Sequence, residues 1–239
     1  MTAADLARLR AAFPNRRVDY FASIDSTMLA AAGKPAGSIV VADEQTAGQG
    51  RHGRSWHSPA GSGIYLSIVL EPQPLLTMAL GLAAAHAIRQ STGAVCDLRW
   101  PNDLMLGEKK LAGILVQLSG ALAVAGIGIN LRRTAFPPEL EPIATSLEAH
   151  AAAPVNAADL SIELLRAIGR FLAEPPENIL KLFAAASSYA SGRRVTVDLP
   201  DGRIEGTTAG LDAGGFLIVR KDDGTDTLIV AGGVRAAGS

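Results

Sequence analysis

Between two apolar runs lies Thr46–Pro59, TAGQGRHGRSWHSP. Gly48, Gly50 and Gly53 alternate there with Arg51 and Arg54. Glycines let a backbone come close to a ligand and take up conformations closed to other residues. Guanidinium groups grip carboxylates and phosphates through a planar fork. The segment is therefore predicted to hold anions, a carboxylate and phosphates together; the plainer alternative is a flexible hairpin loop whose arginines sit in water. Its Gly48-x-Gly50-x-x-Gly53 spacing matches the dinucleotide fingerprint, but that fingerprint has to open a helix. Here the loop passes through Ser55-Trp56 and Pro59 into Gly63–Leu70 (GIYLSIVL), which reads as a strand. The dinucleotide fold is rejected on that ground. A protein kinase is rejected as well, because no HRD, DFG or VAIK motif accompanies the loop.

The surrounding pattern alternates strands and helices. Arg17–Ser23 and Ser38–Ala42 read as strands. Asp25-Ser26-Thr27 is predicted to cap a helix over Met28–Ala32, ended by Gly33. A longer helix is expected over Leu76–Gln90, then a strand over Asp97–Trp100 and a turn at Pro101-Asn102-Asp103. Leu111–Leu118 and Ala121–Ile129 read as a hairpin across Ser119-Gly120. Leu160, Leu164, Leu165, Ile168, Phe171 and Leu172 follow helical spacing. Another helix is predicted over Glu177–Ala186, after the break at Pro175-Pro176. From Arg193 onward, short β-rich pieces alternate with Asp-Gly and Gly-Gly turns, the mark of a small barrel of four or five strands. The expected domains are 1–190 and 191–239.

Composition narrows the class. Net charge is −1 in 239 residues, so nothing pulls the whole chain toward DNA or anionic lipid, and anion binding has to come from local patches. Cys96 stands alone, which excludes internal disulfides and zinc ribbons and fits a reducing compartment. The four histidines show no metal-ligand spacing. Met1–Pro14 reads as a short amphipathic helix and not a secretory signal, and no apolar run is long enough to span a bilayer. A soluble, cytoplasmic protein is expected.

Three further clusters carry chemistry. In Arg99-Trp100-Pro101-Asn102-Asp103, Asn102 and Asp103 are free to bind a sugar, an amine or a magnesium ion, or simply to close an Asx turn. Lys110-Leu111-Ala112-Gly113 puts an ammonium at a strand entrance and a glycine inside the strand, either a ligand pocket or a solvated charge beside a strand. Gly126-Ile127-Gly128-Ile129-Asn130 permits close backbone approach and offers an amide, or ends a strand in an Asn turn.

Taken in order, these motifs resemble those of the biotin–protein ligases (biotin–[acetyl-CoA-carboxylase] ligases), from about Tyr20 to the C-terminus. The resemblance rests on Asp25-Ser26-Thr27, Gln45-Thr46-Ala47-Gly48, Gly50-Arg51-x-Gly53-Arg54-x-Trp56, Trp100-Pro101-Asn102-Asp103, Lys110-Leu111-Ala112-Gly113 and Gly128-Ile129-Asn130. It implies an α+β fold: a mixed sheet with flanking helices, class II synthetase-like, followed by a small SH3-like β-barrel. It implies that biotin and ATP, with Mg2+, give biotinyl-5′-AMP, and that biotin then passes to a lysine of a biotin carboxyl carrier domain. Residue by residue, it implies biotin contacts at Ser26, Thr27, Gln45, Gln49, Gly50, Arg51, Lys110 and Gly113. On the ATP side it implies Arg54, Trp56, Asn102, Asp103, Lys110 and Asn130, with Trp56 packing on adenine and Asp103 on the magnesium side. Lys110, Arg51 and Asp103 are the expected catalytic residues, with Asp103 as the nearest acceptor for the carrier lysine's proton. Met28 stands where the family usually has Asn, Gln49 where many members have Arg, and Arg99 where Lys is common. A lipoate–protein ligase or octanoyl transferase of similar fold is the nearest alternative. A biotin-responsive repressor is a poorer one, since no basic recognition helix is visible. The resemblance leaves a homodimer through a sheet edge open.

Overall fold

The computed structural model describes residues 1–132, 136–151, 154–199 and 202–237. Its larger sheet has seven strands in the order β1-β2-β3-β7-β6-β5-β4. These are β1 (Val18–Phe21), β2 (Ile39–Ala42), β3 (Gly63–Leu70), β4 (Asp97–Arg99), β5 (Asp103–Leu106), β6 (Lys109–Ser119) and β7 (Leu122–Asn130). β1 and β2 run parallel and every other neighbouring pair antiparallel, so the sheet is mixed as expected.

Period-two alternation sorts the residues of β3 and β7 onto two faces. Ile64, Leu66 and Ile68 of β3, with Ala125, Ile127 and Ile129 of β7, enter the main apolar core. That core is closed by α3 (Leu76–Thr92), α4 (Ala157–Phe171) and α5 (Pro176–Ala185), with α1 (Ala3–Ala12) packed on α4. Asn156 caps α4 by accepting from the backbone N–H groups of Ala158 and Asp159. The opposite face carries Tyr65, Ser67, Gly126, Gly128 and Asn130, and the short helix α2 (Thr27–Ala31) covers part of it. That thinly covered face is where a ligand can lie.

Two expectations change in detail. Asp103 opens β5 and does not sit in a turn: β4 and β5 form a hairpin that pairs Arg99 with Asp103. The signals for Asn and Asp as turn formers hid a strand of four residues. Ser26 occupies the cap position of α2 but makes no capping bond. Gln45 does that work instead, its Oε1 accepting from Thr27 N at 2.8 Å.

The C-terminal strands β8 (Ser191–Leu199), β9 (Gly202–Leu211), β10 (Leu217–Arg220), β11 (Asp226–Ile229) and β12 (Gly233–Ala236) form a five-stranded antiparallel sheet, order β11-β10-β9-β8-β12. This is the small SH3-like unit that the resemblance implies. It joins the larger sheet through Trp100, whose Nε1 donates to Gly215 O at 2.9 Å. No helix among the described residues is long and apolar enough to cross a membrane.

Candidate functional site

A cavity of about 1210 Å³ opens on the thinly covered face of the larger sheet. Ser26, Thr27, Gln45, Gln49, Gly50, Arg51, Arg54, Trp56, Asn102, Asp103, Lys110, Gly113 and Asn130 all line it. The structure thus brings together every residue expected on the biotin and ATP sides.

One pole is polar and uncharged. Thr27 Oγ1 donates to Gln45 Oε1 at 3.0 Å and lies 2.8 Å from Ser67 Oγ. Gln45 Nε2 donates to Ser58 Oγ at 2.9 Å. Because Gln45 has taken over the cap of α2, the buried Ser26 hydroxyl, in the cavity wall, is left without a partner among the described residues. Such a group favours a ligand with its own donors and acceptors. Ser67 escaped the sequence reading. Its signal was a lone polar residue in the apolar strand GIYLSIVL.

The floor between the poles is built from absent side chains. Gly113 of β6 pairs with Gly128 of β7, and Gly126 lies two residues further along the same face. The Trp56 indole packs against Gly113 and Gly128: a Cβ on Gly128 would stand 2.4 Å from Trp56 Nε1, and one on Gly113 3.1 Å from Trp56 Cζ3. A Cβ on Gly126 would stand 2.7 Å from Met28 Sδ. Met28 therefore fills an apolar position under α2, within a small cluster that includes Val40, Val69 and Val124.

The glycine–arginine segment folds over this floor as a narrow ribbon. Gly50 N donates to Arg54 O, and Trp56 N to Gly48 O, at 2.7 and 2.8 Å. The tip is a single turn over Arg51–Gly53, with Gly53 at φ 72°. Gly48 is obligatory for close approach, since its Cβ would lie 2.5 Å from Trp56 O. Arg51 Nη1 donates to Asn102 Oδ1 at 3.1 Å and to Gly232 O at 3.2 Å. Asn102 is itself fixed, its Nδ2 donating to Ile114 O at 2.8 Å. Arg54 stands exposed at the rim.

The other pole is cationic. Lys110 Nζ lies 2.6 Å from Asp103 Oδ1, and Arg99 Nη2 lies 2.8 Å from Asp103 Oδ2. Burial disfavours the Asp103 carboxylate, but Lys110 and Arg99 outweigh it and hold its pKa below the usual range. Lys110 Nζ also stands 5.3 Å from the Trp56 ring centre. Asn130 reaches the segment that pairs with Lys110: its Nδ2 donates to Thr145 O at 3.0 Å, and Thr145 N donates to Lys110 O at 2.9 Å. Arg99 was read only as a charge before Trp100; the hairpin is what makes it part of the site.

These side chains do not build a resident metal site. Both Asp103 oxygens face cations, and no group of three His, Cys, Asp or Glu among the described residues could hold a metal ion. Magnesium fits only as the companion of a bound polyphosphate, which is its usual mode with nucleotides.

Comparison with known proteins agrees with this geometry. The model described as "Biotin/lipoate A/B protein ligase family" matches residues 20–132, and "Biotin protein ligase C terminal domain" matches residues 190–234. The chain is 34% identical to the biotin–[acetyl-CoA-carboxylase] ligase of Mycobacterium tuberculosis, over 91% of this chain and 88% of that one. It is 31% identical to the bifunctional ligase/repressor BirA of Bacillus subtilis over 80% of this chain, and the match spans 63% of that relative's length. Among solved structures, the biotin protein ligase of Aquifex aeolicus in complex with biotin and ATP superposes with a TM-score of 0.82 at 29% identity, covering 91% of this chain and 97% of that one. The chain belongs to the biotin/lipoate protein ligase family.

Proposed function

We propose that this chain is a biotin–protein ligase. It activates biotin with ATP to biotinyl-5′-AMP and transfers biotin to one lysine of a biotin carboxyl carrier domain. The observation that carries this is the meeting, in one cavity, of an uncharged hydrogen-bonding pole and a cationic pole across a glycine floor. Biotin has matching ends, a ureido ring and a carboxylate. Ser26, Thr27 and Gln45 hold the ring, and Trp56 and Gly113 wall the body. Gln49 and Gly50 belong to the ribbon that folds over it. Arg51 and Lys110 take the carboxylate end, where the nucleotide meets it. Arg54, Asn102, Asp103 and Asn130 form the nucleotide side.

In the first step a biotin carboxylate oxygen attacks the α-phosphorus of ATP. The new bond is a mixed anhydride, and the broken bond releases pyrophosphate. Two unit negative charges about 4 Å apart repel by about 4 kcal/mol at the effective dielectric of a protein site. Arg51, Arg54 and Lys110 offset that repulsion, so catalysis is positioning and electrostatic stabilisation, with no protein nucleophile. Arg51, tied to Asn102 and to the Gly232 carbonyl, keeps the ribbon over the anhydride and water away from it. In the second step the neutral carrier amine attacks the carbonyl carbon, an amide forms as the anhydride C–O bond breaks, AMP leaves, and the amine's proton passes to solvent. Asp103 was expected to accept that proton. A carboxylate held low by two cations is a weak base, so its role here is to hold Lys110 and Arg99.

The alternative is a lipoate ligase or octanoyl transferase. The match of residues 190–234 to a biotin ligase C-terminal domain favours biotin. The same reading makes 1–190 the catalytic domain and 191–239 the appended one, acting in the cytoplasm. The test is transfer of tritiated biotin to a purified carrier domain with ATP and magnesium, omitting ATP as control. Label from lipoate or octanoate in place of biotin would select the alternative.

A further inference from the structure

The charge pair at Lys110 continues beyond the nucleotide side into the C-terminal sheet. Asp103 divides its two oxygens between Lys110 and Arg99. Sharing the cavity wall with Arg99 is Tyr189, a buried residue two positions before β8. Its phenol lies within electrostatic reach of Arg99, in the same cavity wall, and donates to Glu108 Oε2 at 3.4 Å. Arg193, on β8, closes the chain: its guanidinium lies 4.0 Å over the Tyr189 ring and its Nη2 donates to Glu108 Oε1 at 2.8 Å. Arg99, Glu108 and Tyr189 all line the main cavity.

A carboxylate shared by two cations binds each less exclusively than a carboxylate paired with one. Without Arg99, Asp103 would draw Lys110 into a closed one-to-one pair, and the ammonium would turn from the reacting anions. Arg99 keeps its place only if something else holds it, and Tyr189 braced by Arg193 does so.

We propose that Arg99 and Tyr189 are positioning residues which, braced by Arg193 of the C-terminal sheet, keep the Lys110 ammonium turned toward the reacting carboxylate and phosphate. The C-terminal sheet thereby sets the rate of adenylate formation from a distance. This rests on the ligase reading above.

The test is biotin-dependent ATP–pyrophosphate exchange by the full chain, with kcat and biotin KM measured separately. Arg99→Met is expected to lower kcat by at least about tenfold while biotin KM moves less than about threefold, the pattern of a contact used in the transition state. Arg99→Lys, which keeps the charge, is expected to recover most of that loss. Arg193→Gln is expected to lower kcat by about threefold or more alone, but by less than about twofold in the Arg99→Met background, as coupled residues do. Additive losses in kcat, or a loss confined to KM or to melting temperature, would overturn the proposal. Should Arg193→Gln unfold the chain, Tyr189→Phe takes its place, because it keeps the ring under Arg193 and removes the hydroxyl within reach of Arg99. A wild-type chain without biotin-dependent exchange would reject the ligase reading itself. An active wild type with a fully active Arg99→Met rejects only the positioning role.

Discussion

Lys110 shows how one side chain takes its meaning from its neighbours. From the sequence alone it was as easily a solvated charge beside a strand. The register of β5 on β6 and the ion pair with Asp103 place it in the cavity wall beside Trp56. Lys110→Ala should lower biotin-dependent pyrophosphate exchange by about 10²–10³-fold, the cost of removing one contact to developing charge. Unchanged exchange would remove Lys110 from the mechanism. Asp103 leads to a pH prediction. Its native pKa lies below the ordinary value of 3.8, because the attraction of Lys110 and Arg99 outweighs the penalty of burial. Above 3.8 the carboxylate is charged in both the folded and unfolded states and its stabilisation is fully present. As pH falls below 3.8 the unfolded chain takes up the proton first, and that stabilisation is lost toward the lowered native pKa. Urea titrations from pH 6 to pH 2 should therefore show a shallower acid loss of stability for Asp103→Asn than for the wild type; equal slopes would contradict the assignment. What the sequence concealed at this scale was the partnership. Arg99 and Glu108 lie in one stretch of the chain and Tyr189 and Arg193 in another more than 80 residues on, and no local pattern relates the two.

At the scale of elements, the alternation in β7 does two jobs with one period. Ile127 and Ile129 feed the core, while Gly126 and Gly128 leave room on the other face for Met28 and Trp56. That much was legible, since glycines inside an apolar strand imply that something comes close. The occupant was not legible, because Trp56 arrives from the ribbon and only the fold brings it to the floor. The cap of α2 failed for a similar reason. Ser is a favoured cap residue, but a long-range bond from Gln45 displaced it and left the buried Ser26 hydroxyl without a partner among the described residues. Gly128→Ala tests the floor. The added methyl would meet the indole at 2.4 Å, so Trp56 has to move into the slot it walls. Overpacking of this kind costs about 1–3 kcal/mol, which lowers the melting temperature by roughly 2–12 °C, and biotin KM should rise by about tenfold or more. An unchanged KM would mean that biotin does not lie along β6 and β7.

The whole molecule is two sheets sharing one cavity. Asp198, Leu199 and Gly232 to Ala236 of the C-terminal sheet line the same space as Lys110 and Trp56. The shift to short β-rich pieces after residue 190 announced the second sheet, but not that it closes the first one's site. The joint depends on Trp100, which is buried on the larger sheet and donates its indole N–H to Gly215 O of the smaller unit. Trp100→Phe keeps most of the packing and removes the donor, leaving a carbonyl at the joint without its partner. A lost hydrogen bond of this kind costs about 1–3 kcal/mol. For a chain of this size each kcal/mol shifts the melting temperature by about 2–4 °C. A calorimetric scan should therefore show a single transition lowered by roughly 2–12 °C if the joint makes the two sheets unfold together. Two separate transitions in the wild type, with Trp100→Phe leaving both in place, would show that the sheets are stable independently and that the contact does not couple them.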